Sequence, residues 1–502
     1  MFELSTPHRL WVQAPAWVQW AMIAAAGGLA GLGQAPVDQP TLTLVGLAFG
    51  FWIIRSQTCL PQFWRGWSLG FGYFFVSLAW IIEPFLVEGR GNAWIAPIAL
   101  LAMAGGLALF WGAAFALARG RSGLWTCLAL LAAELARSYL FTGFPWALLG
   151  YVWIDTPIYQ LASIIGPHGM SLLTLVLAAL IAWGGAVPRW VVLTMAIAAP
   201  FVPVAGHAPG PDNSPADDRR PIVRLIHPNV AQENKWHPDK MEAIYQRHLA
   251  LTDAGPAVDL IIWPETSVYL PIEWARREIA EVAQGAHVVV GYQSHSPADQ
   301  YFNTLGVVTP QGEVQSEYHK SRLVPFGEYI PFGQLARVFG YDFPEFSAGS
   351  GPAHIDIDGI GRIQPLICYE GIFPQFVGRG EARPDLLVLI TNDGWFGEGQ
   401  GPAQHFAQAR ARAIELGLPM LRVANRGVTA VIDPWGRSRE RLDLHERGTL
   451  DAPIPKPRTA TFYARYPWLG LVILLGGLVL GAFLSAQEKL SLTPRGGTSR
   501  KS

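Results

Sequence analysis

The stretch Pro365-Leu366-Ile367-Cys368-Tyr369-Glu370-Gly371-Ile372-Phe373 is an apolar, β-branched run that stops on a cysteine and passes into a glycine-bearing turn. A strand that ends this way lifts a thiol clear of its sheet, and backbone N–H groups at a following helix start favour a thiolate and a developing oxyanion. Cys59 and Cys127 lie in or beside long apolar segments, so Cys368 has no partner for an intradomain disulfide. A thiol that attacks a carbonyl needs a base for its proton and a positive or N–H-rich pocket for the oxyanion. Glu265 ends "LIIWPET" right after Pro264, and Lys320 ends a hairpin strand in "EYHKSRLVPFGEYIPF", so both have the type and place for those tasks. Taken singly, each also suits a bland role: a small buried hydrophobe, a solvated carboxylate, a surface lysine.

The elements that must position these three belong to an α/β layered domain. Short buried-strand patterns fall at 221–227 and 259–263, then at 286–292, 304–309, 313–320, 361–368, 385–391, 419–424 and 427–433. Helical patterns lie near 241–252, 272–283, 370–379 and 403–417, and Gly312 and Gly436 mark tight turns between strands. A segment rich in Pro, Gly, Asp and Ser, 207–220, precedes this domain as an exposed linker.

The rest of the chain is a different material. Of 502 residues, 51% are hydrophobic and 15% charged, and the apolar runs crowd into the first 206 residues and one late segment. Spans are expected at 17–33, 41–54, 63–86, 93–118, 122–141, 160–185, 188–205 and 466–484, of which the second is short. The organisation is thus a polytopic α-helical membrane domain (1–206), the linker, a soluble domain (221–460), a final span (461–485) and a tail (486–502). Arg55, Arg65, Arg119, Arg121 and Arg189 fall in alternate loops, and with the basic tail they put the soluble domain on the outer face, a bacterial periplasm. Within the spans, Glu134 and Arg137 share a helix face as an ion pair, and Phe144, Pro145, Trp146, Tyr151 and Trp153 read as an aromatic belt at headgroup level. With 38 acidic against 37 basic residues, no basic patch and no Cys/His cluster at metal-ligand spacing, neither nucleic acid nor a metal or other cofactor is expected.

Taken together, "WPE" at Glu265, "HKSRLVPFGE" with Lys320 and Glu328, "CYE" at Cys368 and "TNDGWFG" from Thr391 resemble the signature elements of the nitrilase (carbon–nitrogen hydrolase) superfamily. Eight spans with such a domain inserted before the last are similar to the apolipoprotein N-acyltransferase family. That resemblance implies an αββα sandwich with a Glu–Lys–Cys triad, carried here by Glu265, Lys320 and Cys368. It further implies functional positions at Glu328, Tyr369, Glu370 and Trp236. Glu328 and Glu370 are then expected to orient Lys320 or tune its charge, the Tyr369 N–H to share the oxyanion, and Trp236 with Phe326 either to cover an acyl chain or to serve as core aromatics. The implied partners are a phospholipid acyl donor and a diacylglyceryl lipoprotein acceptor, joined through a Cys368 thioester. His319 is set aside because adjacent strand residues point to opposite faces and Lys320 claims the cleft; Asn392 and Asp393 are expected to shape a turn. A membrane-tethered amidase using water, or a non-catalytic transporter or lipid receptor, would explain parts of the sequence. Seven spans ahead of the domain exceed what tethering needs, and few charges in the spans argue against transport.

Overall fold

The computed structural model describes residues 14–55, 61–87, 93–119, 123–198, 220–331 and 345–491. The linker, except for Arg220, lies outside these residues, as do Cys59 and everything beyond Ser491.

A helix occupies each of the eight expected apolar segments: Ala16–Gly31, Pro40–Arg55, Gln62–Ser77, Ala96–Leu117, Gly123–Tyr139, Ala162–Trp183, Ala186–Ala198 and Leu469–Ser491. The last runs past the expected end of its span at 485 into the expected tail. By length and composition, Ala93–Leu117 and Pro157–Trp183 can cross a membrane alone, and Gln62–Ser77 joins them if counted with Ala79–Val87, bent away by 63°. Small residues let these helices touch backbone to backbone: a Cβ on Gly72 would lie 1.8 Å from the Ala24 carbonyl oxygen. The Glu134–Arg137 pair is formed and buried, with Nη2 2.6 Å from Oε2. Arg137 also donates through Nη1 to the carbonyls of Phe144 (2.7 Å) and Trp146 (2.8 Å), which ties down the loop that follows.

The soluble domain has two six-stranded sheets. The first is ordered β12 (Gly448–Pro453), β1 (Ile222–His227), β2 (Leu260–Ile262), β3 (His287–His295), β4 (Tyr301–Val308), β5 (Val314–His319). The second is ordered β11 (Ser438–Leu442), β10 (Thr429–Ile432), β9 (Met420–Ala424), β8 (Leu386–Thr391), β7 (Gly361–Ile367), β6 (Ile355–Ile357). Strands β6, β11 and β12 are additions to the sequence reading. Alternation along each strand builds the layers. On β8, Leu386, Val388 and Ile390 face the opposite sheet, while Leu387 and Leu389 join a second cluster that includes Phe406, Ala409 and Ala413 of helix Gln400–Leu416. On β2, Leu260 and Ile262 point inward and Ile261 outward, toward helices Pro238–Thr252 and Ile272–Val282. The result is helix, sheet, sheet, helix.

Helix Gln400–Leu416 is the seam between the two parts. Gln404 accepts the Trp146 indole N–H at 2.6 Å and donates to the carbonyls of Ala35 and Ser77 at 3.1 and 3.0 Å. Arg412 donates to the Tyr151 hydroxyl at 3.0 Å, and the Tyr159 hydroxyl donates to Glu415 at 2.9 Å. This corrects the aromatic-belt expectation: Trp146, Tyr151 and Trp153 are fully buried, because their polar atoms are matched by Gln404, Arg412 and Thr174 inside the protein.

Candidate active site

Lys320 and Cys368 each follow the last residue of a strand, β5 and β7, and Glu265 lies just past the end of β2, after Trp263 and Pro264. β2 and β3 are parallel, β4 runs against β3, and β5 runs against β4, so β2 and β5 end on the same side of their sheet. Residues leaving strand ends escape the ladder and point into the crevice beyond the sheet.

Pro264 lacks an N–H to continue the ladder, so the chain leaves β2 there and turns at Thr266, with φ +50°. Gly291 on the neighbouring β3 makes room, since a Cβ there would lie 2.6 Å from the Thr266 nitrogen. The Glu265 carboxylate accepts the Asn303 amide N–H at 2.8 Å, and its backbone carbonyl accepts the Lys235 ammonium at 2.8 Å. Lys235, one residue before Trp236, carries no local signal of its place; it is buried, and burial lowers its pKa to about 8.

Lys320 is buried between two carboxylates, 2.7 Å from Glu328 and 3.7 Å from Glu265. Its backbone N–H donates to Asn303 and its carbonyl accepts from Gly349. Burial alone would lower its pKa, but Glu328 and then Glu265 more than reverse this and hold it well above the lysine range, as a permanent ammonium. Glu328 is fixed in turn by the Val324 N–H at 2.8 Å.

Cys368 adopts φ +51°, a left-handed conformation that costs a non-glycine residue about 1–3 kcal/mol and tends to mark functional turns. The strain sits on the cysteine, not on Gly371. Beyond it the expected helix 370–379 is absent: a single turn of 3₁₀ helix, Cys368–Ile372, gives way to irregular turns, because Glu370 folds back to accept the Ile367 N–H at 2.8 Å. Burial, then the charge of Glu265, push the Cys368 thiol well up, while Lys320 pulls it down. A thiol in this setting keeps its proton until a base takes it, and Glu265 is a carboxylate whose charge is felt at the sulfur.

The structure brings together Glu265, Lys320 and Glu328, with Cys368 across from them on the other sheet. The charge of Lys320 reaches Glu370 and pulls its pKa down, against the burial that raises it, but Glu370 makes its hydrogen bonds elsewhere. Its carboxylate instead accepts from the Tyr318 hydroxyl (2.6 Å) and from the backbone N–H groups of Ser321 (2.8 Å) and Arg322 (3.2 Å), so it anchors the loop after Lys320 to the cysteine turn. The buried Tyr369 ring meets Phe373 edge-on. Trp236 packs edge-on against Tyr269 with 44% of its surface exposed, and Phe326 is 77% exposed with φ +65° on the loop between Lys320 and Glu328. His319 stacks on Phe302 and meets Thr304 at 3.0 Å, away from Lys320 as strand alternation requires. Asn392 shapes a turn by accepting from the Gly394 N–H, but Asp393 does more: fully buried, it binds Arg422 (2.6 Å) and His405 (2.8 Å). Lys235, Asn303, His405 and Arg422 come from parts of the chain with no local signal; only the tertiary fold gathers them. Among the described residues no group of His, Cys, Asp or Glu could hold a metal ion.

Residues 26–180 match the family described as Apolipoprotein N-acyltransferase N-terminal domain, and residues 230–463 match Carbon-nitrogen hydrolase. The apolipoprotein N-acyltransferase of Brucella suis is 33% identical over 491 residues, covering 90% of this chain and 92% of the relative. That of Azotobacter vinelandii is 35% identical over 508 residues, covering 94% and 96%. Among solved structures, an amidase from Nesterenkonia sp. is similar to 47% of this chain over 90% of its own, at 19% identity and a TM-score of 0.37. With both domains in this order and near-full-length relatives at such identity, the chain belongs to the apolipoprotein N-acyltransferase family.

Proposed function

We propose that this enzyme moves an acyl chain from a membrane phospholipid to the N-terminal α-amine of a diacylglyceryl-cysteine lipoprotein, by way of a thioester on Cys368, as the last step of bacterial lipoprotein maturation. Glu265 takes the thiol proton as sulfur attacks the ester carbonyl. The Lys320 ammonium and the Tyr369 N–H stabilise the oxyanion; the carbon–oxygen bond to glycerol then breaks, and Glu265 returns the proton to the departing lysophospholipid. The neutral lipoprotein amine next attacks the thioester, Glu265 receives its proton, the carbon–sulfur bond breaks, and the proton passes back to sulfur. An ester becomes an amide, and excluding water between the steps prevents loss of the thioester by hydrolysis.

The observation that carries the reading is the setting of the thiol: a cysteine on a strained turn whose proton is held on, opposite a carboxylate and an ammonium locked in its charged form. The eight apolar helices are read as spans, with residues 1–206 and 461–485 in the inner membrane and 221–460 on its periplasmic side. The loop arginines support that orientation. The seam along helix Gln400–Leu416 supports a cleft held at headgroup height, where both lipid substrates lie.

The test is mass spectrometry of the Cys368 peptide after incubating the purified protein with phospholipid. A fatty acyl mass released by hydroxylamine, and discharged by a diacylglyceryl peptide, is expected. An unmodified peptide overturns the proposal.

A further inference from the structure

The proposed reaction uses no group on the far side of the cysteine turn, yet that side holds a buried, ordered set of polar contacts. His405 on helix Gln400–Leu416 lies with Nε2 3.3 Å from the carbonyl oxygen of Cys368 and Nδ1 2.8 Å from Asp393 Oδ1. A carbonyl can only accept, so Nε2 carries a proton. Burial alone would push the Asp393 carboxyl up, but Arg422 and then His405 hold it down to about 2, and Arg422 Nη2 also lies 3.1 Å from His405 Nδ1. Arg422 secures the other Asp393 oxygen at 2.6 Å, and the Thr391 hydroxyl, at the end of the strand beside β7, donates to Oδ1 at 3.0 Å. On its free face the imidazole stacks on Trp146 (ring centroids 5.8 Å, interplanar 26°), which belongs to the membrane part. The Trp146 carbonyl is in turn held by Arg137 at 2.8 Å, and its ring lies 4.5 Å from that of Trp80.

We propose that His405 is a positioning residue: backed by the membrane part through Trp146, it holds the Cys368 carbonyl and so fixes the left-handed turn that aims the thiol. The left-handed conformation is one that cysteine disfavours, so it persists only where its surroundings impose it, and His405 is the side chain that meets that carbonyl from outside the turn. The membrane helices thereby act on the nucleophile itself. This rests on Cys368 being the nucleophile.

Two near-isosteric substitutions separate the two bonds of the imidazole. His405→Gln places an amide N–H where Nε2 stood and keeps the bond to Cys368; His405→Asn places it where Nδ1 stood and keeps only the bond to Asp393. The readout is the rate at which iodoacetamide alkylates Cys368 in the full-length protein in detergent, followed by peptide mass spectrometry, alongside single-turnover acylation by phospholipid. The Asn variant is expected to be slower by about five- to tenfold in both, one hydrogen bond's worth, with the KM for phospholipid unchanged. The Gln variant should stay within about twofold of the parent, a split that a general loss of packing cannot produce. Equal rates for Gln and Asn overturn the proposal. Trp146→Leu leaves the buried charges alone and removes the backing ring together with its indole bond to Gln404. Slower alkylation supports the brace, and an unchanged rate removes the membrane part from it. If no form of the protein, parent included, is acylated by phospholipid, the donor assignment fails while the alkylation comparison still decides this proposal.

Discussion

The two sheets bring opposite kinds of wall to the cleft. Glu265 and Lys320 leave a sheet whose outer face is covered by helices Pro238–Thr252 and Ile272–Val282, and they are held by charge: Lys320 between two carboxylates, Asn303 bridging Glu265 and Glu328 at 2.8 and 3.3 Å. Cys368 leaves a sheet whose outer helix is wedged against the membrane part, and it is held by backbone: a strained φ, a carbonyl bonded to His405, and a turn stapled by Glu370. In the proposed reaction the Glu265–Lys320 wall needs the right protonation states, which short hydrogen bonds set, and the Cys368 wall needs position relative to a lipid, which its link to the N-terminal helices supplies. Perturbing one wall should therefore change chemistry, and perturbing the other should change geometry and stability.

The largest effect is expected from Cys368→Ser. An alcohol is far less acidic than a thiol and Glu265 cannot activate it comparably, so transfer should fall by about 10³-fold or more while the fold survives. Mass detection of a triacylated lipopeptide checks it, and near-parental turnover would mean that neither wall is the reaction site. Next comes the seam. Glu415→Gln leaves Arg412 buried beside Tyr151 without its carboxylate, 2.5 Å away in the parent, and breaking a buried pair typically costs about 3–5 kcal/mol. Thermal unfolding in detergent should begin at markedly lower temperature, whereas the pH–rate profile of the folded fraction should keep its shape. A changed profile with unchanged stability would reverse the assignment of the two walls.

Glu328→Gln attacks the charged wall and should cost roughly 10²-fold in turnover, about 2.7 kcal/mol of lost electrostatic positioning. The sign of its pH effect is fixed by the cause of the shift. Glu328 is the largest of the charges that raise the Lys320 pKa, so removing it lets burial draw that pKa down. The ammonium is then lost at lower pH, and the variant's activity must fall on the alkaline side before the parent's does. An alkaline limb at the same pH in both would show that Glu328 does not set the charge of Lys320.

Much of this contrast was legible before any coordinates. Local signals located the strand ends: Pro264 stops β2, and the apolar run into Cys368 stops β7, because both features act through the immediate backbone. They also located eight helical segments, since apolar length is a local property. The three short strands β6, β11 and β12 lacked it: "IDI", "SRERL" and "GTLDAP" are too short or too polar for a pattern, and they form only because a neighbouring strand offers an edge. Charge partners were illegible for a related reason. His405 and Asp393 are twelve residues apart and Arg422 belongs to another strand, so their meeting depends on how helix Gln400–Leu416 lies on the second sheet. The buried aromatics after Phe144 misled because a sequence shows that a tryptophan is amphipathic, not which polar atom will meet its N–H.

Phe326 offers the finest test, because it belongs to neither wall by packing. Its side chain is largely exposed, so Phe326→Ala should shift stability by less than about 0.5 kcal/mol. Its backbone, however, sits at φ +65° with its N–H bonded to the Tyr329 carbonyl at 2.7 Å, on the loop that delivers Glu328 to Lys320. Two outcomes are separable. If the ring covers a bound acyl chain, its loss raises KM for phospholipid by about three- to tenfold, the cost of about 1 kcal/mol of lost apolar contact, and leaves kcat and the alkaline limb in place. If the ring serves only to shape the loop, Phe326→Ala lowers kcat through Glu328 and leaves KM in place, and Phe326→Gly, which loses the ring and adds backbone freedom, lowers kcat at least as much. Kinetics with phospholipids of decreasing acyl length decide between them, since a covering role must fade as the chain becomes too short to reach the ring.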